Sequence, residues 1–345
     1  MRLPVWLAAA SSMLLATAAQ AEPDFTPERF RSHVTFLADD LLEGRDAGTR
    51  GHDLAALYVA TQFEGLGLKP PVKGGWYQNV PLGGSTATTG DMSENVVAIL
   101  PGSDPKLAGE YVVMMAHLDH VGTTANGGED GIHNGALDNA SGVAALLEVA
   151  RALTADGRAP RRSILFAAVT AEEDGLIGSH YLARHPVTGQ GRVVAVVNAD
   201  MPVLLYDFTD VIAFGAERST LGQVAARVGA GMGVALIDDP IEDQQFFLRS
   251  DHYSFVQRGV PALFLMTGFG NGGEARFKRF MERVYHQPSD DLHQPIDWQA
   301  GAKFARLNYR IVREVANAEA RPAWYEGDEL GDRFAPKEPR AARPN

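Results

Sequence analysis

Residues 111–142 read YVVMMAHLDHVGTTANGGEDGIHNGALDNASG, an apolar run that breaks abruptly into polar side chains. The first six residues are short, apolar and rich in β-formers, the pattern of a buried strand. His117, Asp119 and His120 follow at its C-terminal edge. A Gly- and Asn-rich loop then leads to Gly135-Ala136-Leu137-Asp138-Asn139-Ala140-Ser141-Gly142, where Asp138 and Asn139 are good caps for a following helix. In open α/β sheets, ligand-binding groups gather just beyond the carboxyl ends of strands. A His-x-Asp at such a place suits a metal, since the imidazole binds and the carboxylate orients its other nitrogen. A solvated loop with a chance His and Asp would read the same way on this stretch alone.

Working outward, Val143, Leu146, Leu147, Ala150 and Leu153 form a helical stripe after Asp138. Residues 162–169 (RSILFAAV) are another buried strand, ending in Thr170-Ala171-Glu172-Glu173. Residues 193–197 repeat the pattern and end in Asn198-Ala199-Asp200. Further strands are expected at 211–214 and 262–266, and helices at 219–228 and 297–318. Upstream, Thr26-Pro27-Glu28 opens a helix, and a second runs from about residue 53 to Gly67. Between them, residues 39–51 (DDLLEGRDAGTRG) read as a surface loop; residues 70–90 read as irregular, and 95–100 as a strand. Strands alternating with helices predict an α/β fold, a mostly parallel central sheet with helices on both faces. Residues 22–319 make one domain. From Ala320 the chain has four prolines, many charges and little apolar content, so 320–345 are expected as a loose tail.

Composition narrows the function classes. The chain has 345 residues, 45% hydrophobic and 21% charged, enough for a large core. Residues 1–21 carry Arg2, an apolar stretch and Ala19-Gln20-Ala21, the pattern of a cleaved signal peptide too short for a membrane span. That predicts an exported protein beginning at Glu22, with no membrane contact after processing. There are no cysteines, which excludes disulfides and thiolate metal sites, so any metal must be held by His and carboxylates. A net charge of −12 argues against a nucleic-acid partner.

Three expected strands therefore end in His117, Glu172-Glu173 and Asp200, and Asp138 opens a helix from the same edge. Each alone has a plainer reading: an acidic pair is often a charged first helical turn. Together they crowd negative charge at one edge, which is costly unless cations compensate. Nitrogen and oxygen ligands suit zinc, and a carboxylate between two ions makes a two-metal hydrolytic centre.

The order His117-x-Asp119, Gly-Ala-x-Asp138-Asn-x-Ser-Gly, Glu172-Glu173-x-Gly-Leu-x-Gly-Ser, Asp200 and Tyr-His286 resembles the zinc aminopeptidases of the bacterial leucyl aminopeptidase type. That family also takes in glutamate carboxypeptidases and glutaminyl cyclases. The resemblance implies a zinc exopeptidase-like α/β/α fold and two zinc ions. Asp138 would bridge them, Glu173 and His286 completing one site and His117 with Asp200 the other. It implies that Asp119 orients His117, and that Glu172 is the general base acting on water at the metals. It implies a cis Asp138–Asn139 peptide, peptide substrates and release of N-terminal residues. Ser250-Asp251-His252 also looks like the family, but Phe247 stands where some members place a tyrosine that stabilises the oxyanion. A cyclase with one zinc, or a dipeptidase or carboxypeptidase, would keep most of these motifs.

Overall fold

Thr26 accepts from the main-chain N–H of Arg29 and starts α1 (Pro27–Leu37), which buries Phe30, Val34 and Leu37. Helix α2 (Arg50–Gly65) begins earlier than the sequence suggested, because Thr49 supplies its cap. Strands β1 (Tyr77–Pro81), β2 (Met92–Leu100) and β3 (Glu110–His117) follow, then helix α3 (Ser141–Ala155) and β4 (Ser163–Val169). After α4 (Ile177–Arg184) come β5 (Arg192–Ala199), β6 (Asp210–Phe214), α5 (Leu221–Ala230) and β7 (Ala235–Ile237). The chain continues through α6 (His252–Val256), β8 (Ala262–Thr267), α7 (Gly273–Arg283), α8 (Trp298–Asn317) and α9 (Glu329–Phe334). This computed structural model describes residues 21–71, 73, 75–83, 92–124 and 131–344. The expected signal peptide, but for Ala21, lies outside them, as do parts of the 70–90 stretch and of the loop before Asp138.

The strands form one sheet in the order β1-β2-β4-β3-β5-β8-β6-β7. Its centre, β4-β3-β5-β8, is parallel, so the carboxyl ends of these strands share one edge. β1, β2 and β6 run antiparallel to their inner neighbours, and β7 is parallel to β6. The α/β sheet read from the sequence is thus present, with antiparallel flanks. All of β4 is buried, and β3 is buried from Val112 onward, as covered parallel strands require. Helices α3 and α8 pack together over β3 and β5, while α4 and α6 pair and reach β2 and β8. No helix among the described residues is long and apolar enough to cross a membrane.

Three expectations change. Residues 39–51 are not merely a surface loop: they contain a short 3₁₀ turn, Asp40–Arg45, whose Leu42, Gly44 and Arg45 are buried. Residues 320–344 are packed against the body rather than loose. Trp324 is 2% exposed and its indole donates to the Gly259 carbonyl at 2.9 Å, so two buried aromatic side chains, Trp324 and Tyr325, outweigh the polar composition. Asp138 and Asn139 lie in a turn, Ala136–Ala140, ahead of α3 rather than capping it in the ordinary way. Asn139 Oδ1 still accepts from the N–H of Gly142 and of Met201, both at 3.1 Å.

Glu22 is tied to α8. Glu22 accepts from Arg310 at 2.6 Å and from Arg306 at 3.0 Å. The Arg310 hydrogen bond leads in lowering its pKa from 4.5 to about 2. A depressed folded-state pKa stabilises above the unfolded value, and the gain is lost as pH falls from 4.5 towards 2. Glu22→Gln should flatten that part of the Tm-against-pH curve, less so in high salt because the pair is partly exposed. An unchanged acid slope at low salt would remove the clasp from the stability account.

Candidate metal centre

Each group arrives from a different element. His117 ends β3, Asp200 follows β5, and Glu172 and Glu173 follow β4. His286 follows α7, and Asp138 sits in the turn before α3. The chain turns sharply to deliver them: Ala171 has φ 54°, Met201 41°, His286 55° and Arg45 54°. Left-handed backbone at non-glycine residues is strained, and here it borders the cluster at four points. The Asp138–Asn139 peptide is cis. Asp290, fully buried, accepts from the N–H groups of Leu137 and Asp138, both at 2.9 Å, and holds this turn in place.

His117 Nε2 lies 3.1 Å from Asp200 Oδ1 and 3.2 Å from Asp138 Oδ1. His286 Nε2 lies 3.2 Å from Asp138 Oδ2 and 3.0 Å from Glu173 Oε2. The structure therefore brings all five expected ligands into two tripods, with one oxygen of Asp138 in each. Glu172 approaches His117 and Glu173 and lines a narrow cavity of about 30 Å³ with His117, Asp138, Asp200, Phe246 and Tyr285. Of the phenylalanines near the motifs, Phe246 and Phe264 line this cavity. Phe247 does not; its ring packs 4.9 Å from that of His252 and 5.1 Å under the Arg218 guanidinium.

Asp119 meets His117 differently from the expectation. Its main-chain carbonyl lies 3.2 Å from His117 Nδ1, while its carboxylate accepts from the Glu173 N–H at 3.3 Å. The carboxylate thus braces the Glu172-Glu173 turn, and the carbonyl fixes the imidazole. Arg45, Asp290 and His120 also belong to this cluster, though no local sequence pattern marks them. The last is fully buried with Nδ1 2.9 Å from Glu173 Oε1.

Electrostatics favour cations. Burial raises the carboxyl groups of Asp119, Asp251 and Asp290 to about 7. Burial also lifts Glu172 well above the usual range; His117 opposes this, and Asp200 and Asp251 add to it. Burial disfavours charge on His286, yet the close Asp138 and Glu173 carboxylates carry it up to about 10. His286 Nε2, despite its two close oxygens, makes no well-aligned hydrogen bond, and Asp119 Oδ1 and both Asp251 oxygens are buried and unpartnered. An imidazole nitrogen of His286 facing two carboxylate oxygens without an aligned bond, and surplus buried negative charge, fit divalent zinc between them.

Donor sets of this composition serve metal-assisted hydrolysis. The family match makes that class specific: residues 95–312 fit the model of peptidase family M28, and the chain belongs to that family. It is 28% identical over 314 residues to leupeptin-inactivating enzyme 1 of Streptomyces exfoliatus, covering 84% of this chain and 61% of that protein. It is 28% identical over 274 residues to a probable zinc metalloprotease of Pyrenophora teres f. teres, covering 66% of this chain and 52% of that one. The chain thus spans between half and two thirds of these relatives' length. Among solved structures, a zinc aminopeptidase from Bacillus subtilis superposes with TM-score 0.64 at 16% identity, covering 87% of this chain and 98% of that one. Porphyromonas gingivalis glutaminyl cyclase gives TM-score 0.62 at 18% identity, covering 84% and 98%. At such identities the likeness is one of fold.

Proposed function

We propose that the protein is an exported two-zinc aminopeptidase, processed before Glu22, that releases N-terminal residues from peptides. The observation that carries this is the pair of tripods sharing Asp138. His117, Asp138 and Asp200 would hold one zinc, and Asp138, Glu173 and His286 the other. The chemistry supplied by bound zinc is Lewis-acid polarisation of the scissile carbonyl and of water. Glu172, lining the same cavity with its proton affinity raised by burial, takes a proton from water and passes it to the leaving amine. Tyr285 also lines the cavity and stacks on His286 at 3.8 Å. Burial raises its phenol, which keeps it protonated and able to donate to the carbonyl oxygen in place of a hydroxyl that Phe247 lacks. The ring of carboxylates attracts an α-ammonium group, which supports attack next to the N-terminus.

One observation favours a narrower reading. Arg249 lines the cavity, and among the described residues it donates only to the Gln244 carbonyl, at 3.3 Å. That guanidinium, stacked over the Phe246 ring at 5.6 Å, keeps most of its donors for the C-terminal carboxylate of a dipeptide.

The test is to incubate the zinc-loaded mature protein with a peptide library in free and amidated forms and read products by mass. Loss of N-terminal residues from both forms supports the aminopeptidase. Cleavage confined to dipeptides with free carboxylates supports a dipeptidase, and ammonia loss from N-terminal glutamine without cleavage supports a cyclase. Metal analysis of protein purified without chelator should approach two zincs per chain. One zinc at saturation would sink the two-metal mechanism. Export is checked by sequencing the N-terminus of exported material, which should begin at Glu22; a start at Met1 would refute processing.

A further inference from the structure

The two tripods leave His120 without a task, although it is fully buried against them. Its Nδ1 lies 2.9 Å from Glu173 Oε1, the oxygen opposite the Oε2 that faces His286 at 3.0 Å. An ionised carboxylate only accepts, so Nδ1 carries the proton. The ring is fixed in place. Gly135, at φ 59°, lies so close that a Cβ there would come within 2.7 Å of the His120 ring. The ring edge also meets His286, centroids 5.5 Å apart at 76°.

The other half of the centre is built on the same plan from different parts. Asp200 Oδ1 faces His117 at 3.1 Å, while its Oδ2 accepts from Ser250 Oγ at 2.5 Å. Ser250 Oγ is itself held by Asn198 Nδ2 at 2.7 Å. Each outer carboxylate thus has one oxygen tied back and one turned inward.

We infer that His120 is a positioning residue that presents Glu173 to its metal through Oε2 alone, the counterpart on this side of the Ser250 tether on Asp200. The two metal sites then have separate supports and can be weakened one at a time. This rests on the two-metal reading. Outer groups that orient a metal-binding carboxylate typically contribute ~10–100-fold in affinity. The competing arrangement, His120 as a direct ligand, draws on its Nδ1 lying 4.0 Å from Asp138 Oδ2.

The experiment titrates zinc into the full mature chain stripped of metal, using a chromophoric chelator to resolve the two binding steps. The variants are His120→Ala, His120→Asn and Ser250→Ala, each checked by thermal unfolding without metal. His120→Ala should weaken one step by ~10–100-fold and spare the other. His120→Asn, whose amide nitrogen can replace Nδ1 as a donor, should restore most of it. Ser250→Ala should weaken the opposite step. Should His120→Ala fail to fold, His120→Leu fills the space without a donor. Equal weakening of both steps, or no weakening, overturns the inference. So does weakening that Asn fails to rescue, the result expected of a direct ligand. A wild type that takes up two zincs isolates any such failure to His120; one that takes up fewer overturns the two-metal reading and this inference together.

Discussion

Glu172→Gln is expected to lower turnover by about 10²–10⁴, the usual worth of a positioned general base, with zinc content and Tm near wild type. The side chain borders the cavity, and neither tripod needs its oxygens. Glutamine keeps the shape and loses the ability to accept a proton. KM should change far less than kcat, because the base acts chiefly in the transition state. The neighbouring Glu173→Ala should behave oppositely, losing zinc from one site and losing activity through it, since Glu173 Oε2 lies 3.0 Å from His286 Nε2. Zinc content, Tm and kcat measured on both variants decide the matter. If Glu172→Gln sheds zinc while Glu173→Ala retains it, the two roles are exchanged. Near-normal turnover in Glu172→Gln would leave the mechanism without its base.

The candidate centre is legible in the sequence because its chemistry sits where apolar runs stop. β4 is wholly buried and β3 is buried to its end, so each run is conspicuous, and the first polar residue after it stands at the sheet's ligand-bearing edge. What stayed hidden depends on contacts that no local pattern records. Asp290 sits in an unremarkable Ser-Asp-Asp run, and only the fold brings its carboxylate under the Leu137 and Asp138 amides. The His-x-Asp pattern points to the Asp119 carboxylate for orienting His117, but the Asp119 carbonyl does this, a choice that side-chain chemistry cannot announce. The segment after Ala320 looked polar by count, whereas two aromatic rings decide its burial. β1, with burial alternating over five residues, and three-residue β7 are too short to register.

Arg45 is the extreme case, and replacing it with Met should cost about 3–5 kcal/mol of stability, the usual penalty for breaking a buried charged network. The local sequence, acidic and glycine-bearing, announces solvent, yet Arg45 is 1% exposed. Its guanidinium donates to the carbonyls of Leu118 at 2.9 Å, Asn134 at 2.5 Å and Gly135 at 3.1 Å, and also to that of Leu37. Burial lowers its pKa to about 10, with Asp119, Asp290, Asp138 and Glu173 opposing the shift, so it stays charged at neutral pH. Methionine matches much of the volume and supplies no donor, leaving buried carbonyls unpaired. Because three of those carbonyls flank the centre, Leu118 just after β3 and Asn134 and Gly135 just before the Asp138 turn, zinc affinity should fall along with stability. Arg45→Lys separates charge from shape. Lysine keeps the cation but cannot reach the four carbonyls with one nitrogen. If the guanidinium fork is what matters, Lys should recover only part of the loss in denaturant midpoint and in zinc affinity. Full recovery by Lys would mean that positive charge beside the acidic cluster is the whole contribution.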